Sequence, residues 1–322
     1  MTNINICVQD AYLALHPQSK IPVDSDWPNL GKAKEEVLPM GGNIGLLLGA
    51  KSGIIDVDLD CREAKGLADL ILPKPLARFD RGTSDSGHYL FNANSFGPTK
   101  RFTGAGSKTT IVELRADGAQ TMIPPSVHPD GSQLEFQAFN ENADTIEYSD
   151  LLKHVSLLAA VSEITQNWTH GQRHNLALGF AGLCIKADLD PNQIMQIIQR
   201  ICSLTNDVEE NDRLNAIRFS VNKAADDLAG FSLLSELLGY EAAKRIADRV
   251  DQYAGKVNPT LLIQANTPPS SILELGQFAD RANVTEAKMG IQFAEWLKDK
   301  AVCNRTEAVD DLERLFLGSG SL

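Results

Sequence analysis

The period of the apolar positions changes once along the chain, near residue 148, and divides it into a strand-rich first part and a helical remainder. In the first part, Leu46 to Leu48 and Ile54 to Leu59 read as two short strands joined by a turn at Gly49 to Gly53. Further strands are expected at His88 to Phe91, Thr110 to Arg115, Gln120 to Ile123 and Leu134 to Phe139. The strand at Gln120 runs into a double-proline corner at Pro124-Pro125. Residues 7–16 read as a short helix stopped at His16-Pro17, and residues 62–71 as a helix ended by Leu72-Pro73-Lys74-Pro75. Residues 99–108 read as a flexible basic loop. Beyond the change, the 3.6 period predicts helices over about 149–166, 172–187, 190–204, 209–228, 231–239 and 240–254. A Pro-marked linker follows at 255–271, then helices near 272–282 and 286–300 and a Gly/Ser tail. The expected domains are therefore residues 1–148, 149–256 and 257–322.

The second of these strands carries the chemistry. Asp56, Asp58 and Asp60 fall at alternate positions, so the period of 2 puts them on one face while Ile55, Val57 and Leu59 face a core. Adjacent carboxylates repel, and hard divalent cations with oxygen ligands would neutralise them. A solvent-facing acidic strand edge is the other reading. Glu113 sits inside the apolar run Ile111-Val112-Glu113-Leu114, a place where an acid needs a partner or a ligand. Ser86 and His88, two residues apart in an extended segment, share a side, and Arg78, Arg81, Lys100 and Arg101 lie close in sequence. A hydroxyl, an imidazole and guanidiniums on one side suit a polyphosphate. The proline corner fixes where Ser126 and His128 project. In the helical part, Arg173 and His174 open an apolar helix where basic residues oppose the macrodipole, which a bound phosphate would reverse; a solvated basic turn is the alternative.

Composition narrows the setting. The net charge is −12, and residues 1–147 hold 13 Lys+Arg against 19 Asp+Glu, so nucleic-acid contact is expected to be a local patch. No apolar run approaches the roughly 20 residues of a membrane span, and no signal peptide is expected. Five scattered cysteines without a C-x-x-C pair fit reduced thiols in the cytoplasm and no zinc site.

Together these motifs resemble the primase-polymerase (prim-pol) branch of the archaeo-eukaryotic primase superfamily. The matching stretches are Gly49…Ser52-Gly53-Ile54-Ile55-Asp56-Val57-Asp58, Ser86-Gly87-His88 preceded by Arg81, and Ile111-Val112-Glu113 followed by Gln120…Pro124-Pro125-Ser126-Val127-His128-Pro129. Lys20…Pro22…Trp27 is similar to the start of such domains, and the likeness spans about residues 10–140. The helical part is similar to domains that follow such cores in phage and plasmid replication proteins, at Gly171-Gln172-Arg173-His174-Asn175. The resemblance implies an α+β fold, an RRM-like catalytic core followed by an all-helical domain. It implies two Mg²⁺ or Mn²⁺ ions on Asp56, Asp58 and Glu113, with His88 catalytic and Asp60 a bystander. Ser86, His88, Arg81, Arg115, Ser126 and His128 are the expected nucleotide contacts; Lys100, Arg101, Arg173 and His174 are the expected template contacts. The implied partners of this monomer are single-stranded DNA, NTPs or dNTPs and a separate helicase, since no Walker A motif occurs in these residues. A metal-dependent nuclease or nucleotide hydrolase, and a non-catalytic replication initiator on a primase scaffold, remain alternative readings.

Overall fold

The computed structural model describes residues 6, 8–82, 84–104, 109–224 and 227–256. The strand-rich part holds β1 (Tyr12–Leu15), α1 (Lys34–Val37), β2 (Asn43–Leu47), β3 (Ile54–Leu59) and α2 (Arg62–Ile71). It continues with β4 (Ala77–Asp80), β5 (Gly87–Ala93), β6 (Lys100–Thr103), β7 (Thr110–Arg115), β8 (Gln120–Ile123), β9 (Glu135–Phe139) and β10 (Thr145–Ile146). Two sheets result. The small one runs β1-β2-β8, and the large one runs β6-β7-β3-β5-β4-β9, with β10 beside β5. The mixed α+β architecture is the expected one.

The two strands around the Gly49 to Gly53 turn do not pair with each other. β2 belongs to the small sheet and β3 is the centre of the large one, so the turn carries the chain between sheets. Gly49, at φ 82°, is needed there twice over. A side chain would be strained by that conformation, and its Cβ would stand 2.0 Å from the Asp117 carboxylate.

One face of β3, formed by Ile55, Val57 and Leu59, is wholly buried and is backed by α2. The other face grades from core to solvent. Ile54 joins Leu90, Ala77, Phe79 and the small sheet in one apolar cluster, Asp56 is buried beside it, and Asp58 lies partly open. The small sheet thus roofs one end of this face and leaves the other end as a cleft.

Two local expectations are corrected. Residues 12–15 of the expected first helix form strand β1, paired antiparallel with β2 and buried at all four positions. A short run apolar on every side has no period to read, so its partner decides its form. Residues 100–103 of the expected loop form β6 on the edge of the large sheet, because cross-strand pairing with β7 supplies what the local pattern lacks.

The helical part holds α3 (Tyr148–Gln166), α4 (Arg173–Lys186), α5 (Pro191–Thr205), α6 (Glu210–Val221), α7 (Phe231–Leu238) and α8 (Tyr240–Tyr253). Asp190 caps α5 with Pro191 at its first position, as the sequence suggests. The expected helix over 209–228 ends at Val221. α3 is buried almost all round because it lies between the large sheet on one side and α8 on the other. Polar contacts tie it to the strand-rich part: the Tyr148 hydroxyl donates to the Pro98 carbonyl at 2.6 Å, and His154 lies 2.9 Å from the Ile71 carbonyl. No helix among the described residues is long and apolar enough to cross a membrane. The segments expected beyond residue 256 lie outside the described residues.

Candidate active site

The register of the large sheet assembles the site. Asp58 on β3 stands directly opposite His88 on β5 and Glu113 on β7; Phe79 on β4 pairs with His88, and Arg101 on β6 with Glu113. Residues 79, 88, 58, 113 and 101 therefore form one row across five strands, at the roughly 5 Å spacing of cross-strand neighbours. The next row holds Leu90, Asp56 and Arg115. The alternation in each strand is what brings residues far apart in sequence to one face.

His88 is held from two sides. Its ring stacks on Phe79 at 4.6 Å, and its Nδ1 lies 3.0 Å from Asp56 and 3.6 Å from Asp58. Burial alone would lower the imidazole pKa, but the Asp58 and Asp56 charges and the Asp56 hydrogen bond raise it. The effect is mutual. Burial pushes the Asp56 carboxyl up, yet His88, and then Arg115, bring it below the usual carboxylate range. Arg115 reaches Asp58 at 3.4 Å and Asp56 at 3.7 Å, and donates to the Gln120 carbonyl at 2.5 Å, which anchors it to the small sheet. Glu113 receives Arg101 at 3.1 Å.

A cavity of about 280 Å³ opens over these rows. Asp58 and Glu113 reach it with side chains 16% and 15% exposed, whereas Asp56 is fully buried behind them. Asp60 also lines it. Burial, then repulsion from Asp58 and Glu113, pushes its carboxyl up to about 6. Arg81 donates to Ser84 at 3.0 Å and Ser86 at 3.1 Å, reaches Asp130 at 2.6 Å and lies 3.3 Å from His128. Arg81, Ser86 and His128 all line the cavity.

Of the sequence candidates, the cavity thus gathers Asp58, Glu113, His88, Arg115, Arg81, Ser86 and His128, with Asp56 directly behind. It does not gather the others. Ser126 is buried, its hydroxyl accepting from the Ile44 amide at 2.9 Å and donating to the Ile44 carbonyl; it fastens β2 to the segment after β8. Lys100 pairs with Leu114, one residue out of step with Glu113, and so falls on the opposite face, where burial lowers its pKa. Arg173 lies 3.3 Å from buried Asp207, and His174 lies 2.7 Å from Asp212; neither lines the cavity. Lys20, Asp60 and Gln120 line it without having been singled out as site residues. For Asp60 the signal was present in the alternation of acids. Lys20 arrives because the Gln120 side-chain amide donates to its carbonyl at 3.0 Å across 100 residues, which no local pattern conveys.

The donor chemistry fits hard divalent cations. The carboxylates of Asp58, Glu113 and Asp60 face one cavity, and the raised Asp60 pKa registers their mutual repulsion. Among the described residues no three such side chains already surround an ion-sized position, because Asp56 turns to His88 and Glu113 to Arg101. Loading would require those partners to give way.

No curated protein matches the chain. Residues 11–145 match the family model described as "Bifunctional DNA primase/polymerase, N-terminal". That span runs from just before β1 to the first residue of β10 and contains the cavity and both rows of site residues. Residues 11–145 of this chain thus belong to the prim-pol family.

Proposed function

We propose that the chain is a template-dependent nucleotidyltransferase that makes primers and extends DNA, of the kind used in phage or plasmid replication. The observation that carries this reading is one cavity lined both by the row of His88, Asp58 and Glu113 and by Arg81, Ser86 and His128: carboxylates for cations beside cationic and hydroxyl groups for phosphates. Asp58 and Glu113, with Asp56 behind them, are the residues that would hold two Mg²⁺ or Mn²⁺ ions. Such ions, when bound, lower the pKa of an attacking 3′-hydroxyl and stabilise a leaving pyrophosphate.

The remaining steps belong to the chain's own groups. His88, whose pKa Asp58 and Asp56 raise against its burial, donates a hydrogen bond to a phosphate oxygen, and Phe79 fixes its ring plane. Arg81 holds Ser86 and His128 in place, so their hydroxyl and imidazole meet the phosphates without reorganising. Arg115, anchored on the Gln120 carbonyl, lines the same cavity and offers its guanidinium to the same phosphates. The cavity lies at the small end of ligand pockets, of a size for a polyphosphate, which leaves the base to template pairing. The helical residues 149–256 buttress the sheet from its other face.

The test is a labelled primer annealed to a single-stranded template, incubated with Mg²⁺ or Mn²⁺, with and without dNTPs or NTPs. Extension that requires nucleotide supports the proposal. Shortening of the primer instead would establish a nuclease, and neither product, with intact DNA binding, an initiator.

A further inference from the structure

The cations around the cavity differ in how far they are committed. Arg81 is bridged to Asp130 at 2.6 Å, His128 to Asp130 at 3.0 Å, His88 to Asp56, and Arg115 to Asp58. Lys20 also lines the cavity, yet among the described residues no carboxylate lies within ion-pairing distance of it, and its side chain is exposed. It is the cation there that can meet an incoming anion without first leaving a carboxylate.

Its backbone is nonetheless fixed. The Gln120 amide donates to the Lys20 carbonyl at 3.0 Å, the neighbouring Ser19 carbonyl accepts from Asn43 Nδ2 at 3.1 Å, and His16 N–H donates to the Ile21 carbonyl at 3.0 Å. Asn43 is buried, and the same amide also closes on the other loop of the cavity: it donates to the Val127 carbonyl at 2.6 Å and accepts from the Val127 N–H at 2.9 Å. One buried side chain therefore staples the Lys20 loop to the loop that presents His128. A mobile ammonium on a pinned base, next to an imidazole held by the same staple, is a phosphate-binding arrangement; Lys acts there as a point charge that follows the anion.

We infer that Lys20 is a substrate-binding residue for the polyphosphate of the incoming nucleoside triphosphate in this cavity, with Asn43 as its positioning residue. The inference rests on the nucleotidyltransferase reading.

Equilibrium binding of dATP, dADP and dAMP to the full chain in Mg²⁺ separates the two. The wild type is expected to lose affinity at each phosphate removed. Lys20→Ala should weaken dATP about tenfold or more, on the order of one lost charge-assisted contact, and dAMP less than about twofold. Lys20→Arg should restore part of the dATP affinity, and thermal melting should not change, since the side chain is exposed. Asn43→Ala should weaken dATP as well, with a lowered melting temperature. If Lys20→Ala leaves dATP binding unchanged, or weakens dAMP equally, Lys20 does not hold the polyphosphate. If the wild type binds none of the three, the nucleotidyltransferase reading falls and the inference with it.

Discussion

Two kinds of arginine–carboxylate cluster occupy this molecule, one sealed in the helical part and one open to the cavity. In the helical part each buried acid meets two guanidiniums. Glu163 on α3 receives Arg245 at 2.6 Å and Arg249 at 2.8 Å, and Asp207 receives Arg213 at 3.0 Å and Arg173 at 3.3 Å, with the Trp168 indole completing its shell at 3.0 Å. Every charge there has its partner. Along the carboxylate rows of the cavity the acids outnumber the cations: Asp56, Asp58, Asp60 and Glu113 share Arg115, His88 and, from the rim, Arg101. The sealed clusters specify how helices pack. The acids of the open one crowd each other at Asp60, and that crowding is the physical argument for cations arriving from solution.

The comparison breaks first at Asp58 and Glu113. Asp58→Asn and Glu113→Gln should each lower nucleotide incorporation at least about a thousandfold, the several kcal/mol that a bound cation contributes to a phosphoryl-transfer barrier. Removing one of several repelling carboxylates should leave the cation-free melting temperature unchanged or higher. Single-turnover incorporation beside thermal melts measures both. Near-normal incorporation by either variant would remove that residue from the cation site.

The sealed clusters should respond in the opposite sense. Glu163→Gln leaves two arginines facing each other in the interior, and truncating one partner of a buried ion pair costs about 3–5 kcal/mol. Arg249 also donates to the Thr103 carbonyl at 2.7 Å, at the end of β6, so Arg249→Met should cost a similar amount. Urea titration reads the loss. A variant that kept its urea midpoint but lost activity would place this cluster in catalysis and dissolve the distinction.

How far these differences were legible in the sequence depends on the range of the interaction. Asp56, Asp58 and the strand that carries them announce themselves through local alternation, as do the helices with a clean 3.6 period. The row linking residues 79, 88, 58, 113 and 101 is a matter of strand order, which alternation within one strand does not encode. β1 was unreadable because it is buried on both faces, and Ser126 was misread because a hydroxyl beside a histidine looks the same whether it points to a cavity or to a backbone amide. Arg173 raises the same difficulty. A basic residue at a helix start invites a phosphate, but its carboxylate partner, Asp207, lies 34 residues on in another segment.

The open cluster can also be sharpened by pH. The Asp60 carboxyl is raised to about 6, against 3.8 for its ordinary value, so between those limits the native protein keeps a proton that the unfolded chain has released. Stability should therefore fall as pH rises from 4 to 6 and then stop changing on this account. Asp60→Asn should remove that slope by removing the titrating group, and Mn²⁺ added to the wild type should reduce it, because a cation favours the ionised carboxylate that burial, and then repulsion from Asp58 and Glu113, disfavours. The raised His88 contributes stability that is lost only at higher pH, as it deprotonates above its ordinary 6.5; His154, Asp56 and Asp251 also bear on the window from 4 to 6, so Asp60 is read from the difference between the wild type and Asp60→Asn. Urea midpoints that differ between the wild type and Asp60→Asn by the same amount at every pH across that range would show that the Asp60 carboxyl is not raised.

The smallest effect is expected at His174, where the two kinds of cluster meet their limiting case. Its ring lies 2.7 Å from Asp212, but both side chains are about half exposed, so water screens the pair and replaces it easily. His174→Ala should cost about 0–1 kcal/mol in stability. Template binding is the more informative readout. Arg173 is held by Asp207 and by the Trp168 carbonyl, so this helix start has its most basic residue turned inward. Salt titrations of single-stranded DNA binding should therefore give the same slope for wild type and His174→Ala, since neither residue neutralises a phosphate. A slope reduced by about one unit would mean that the helix start reaches the template after all, with His174 rather than Arg173 making the contact.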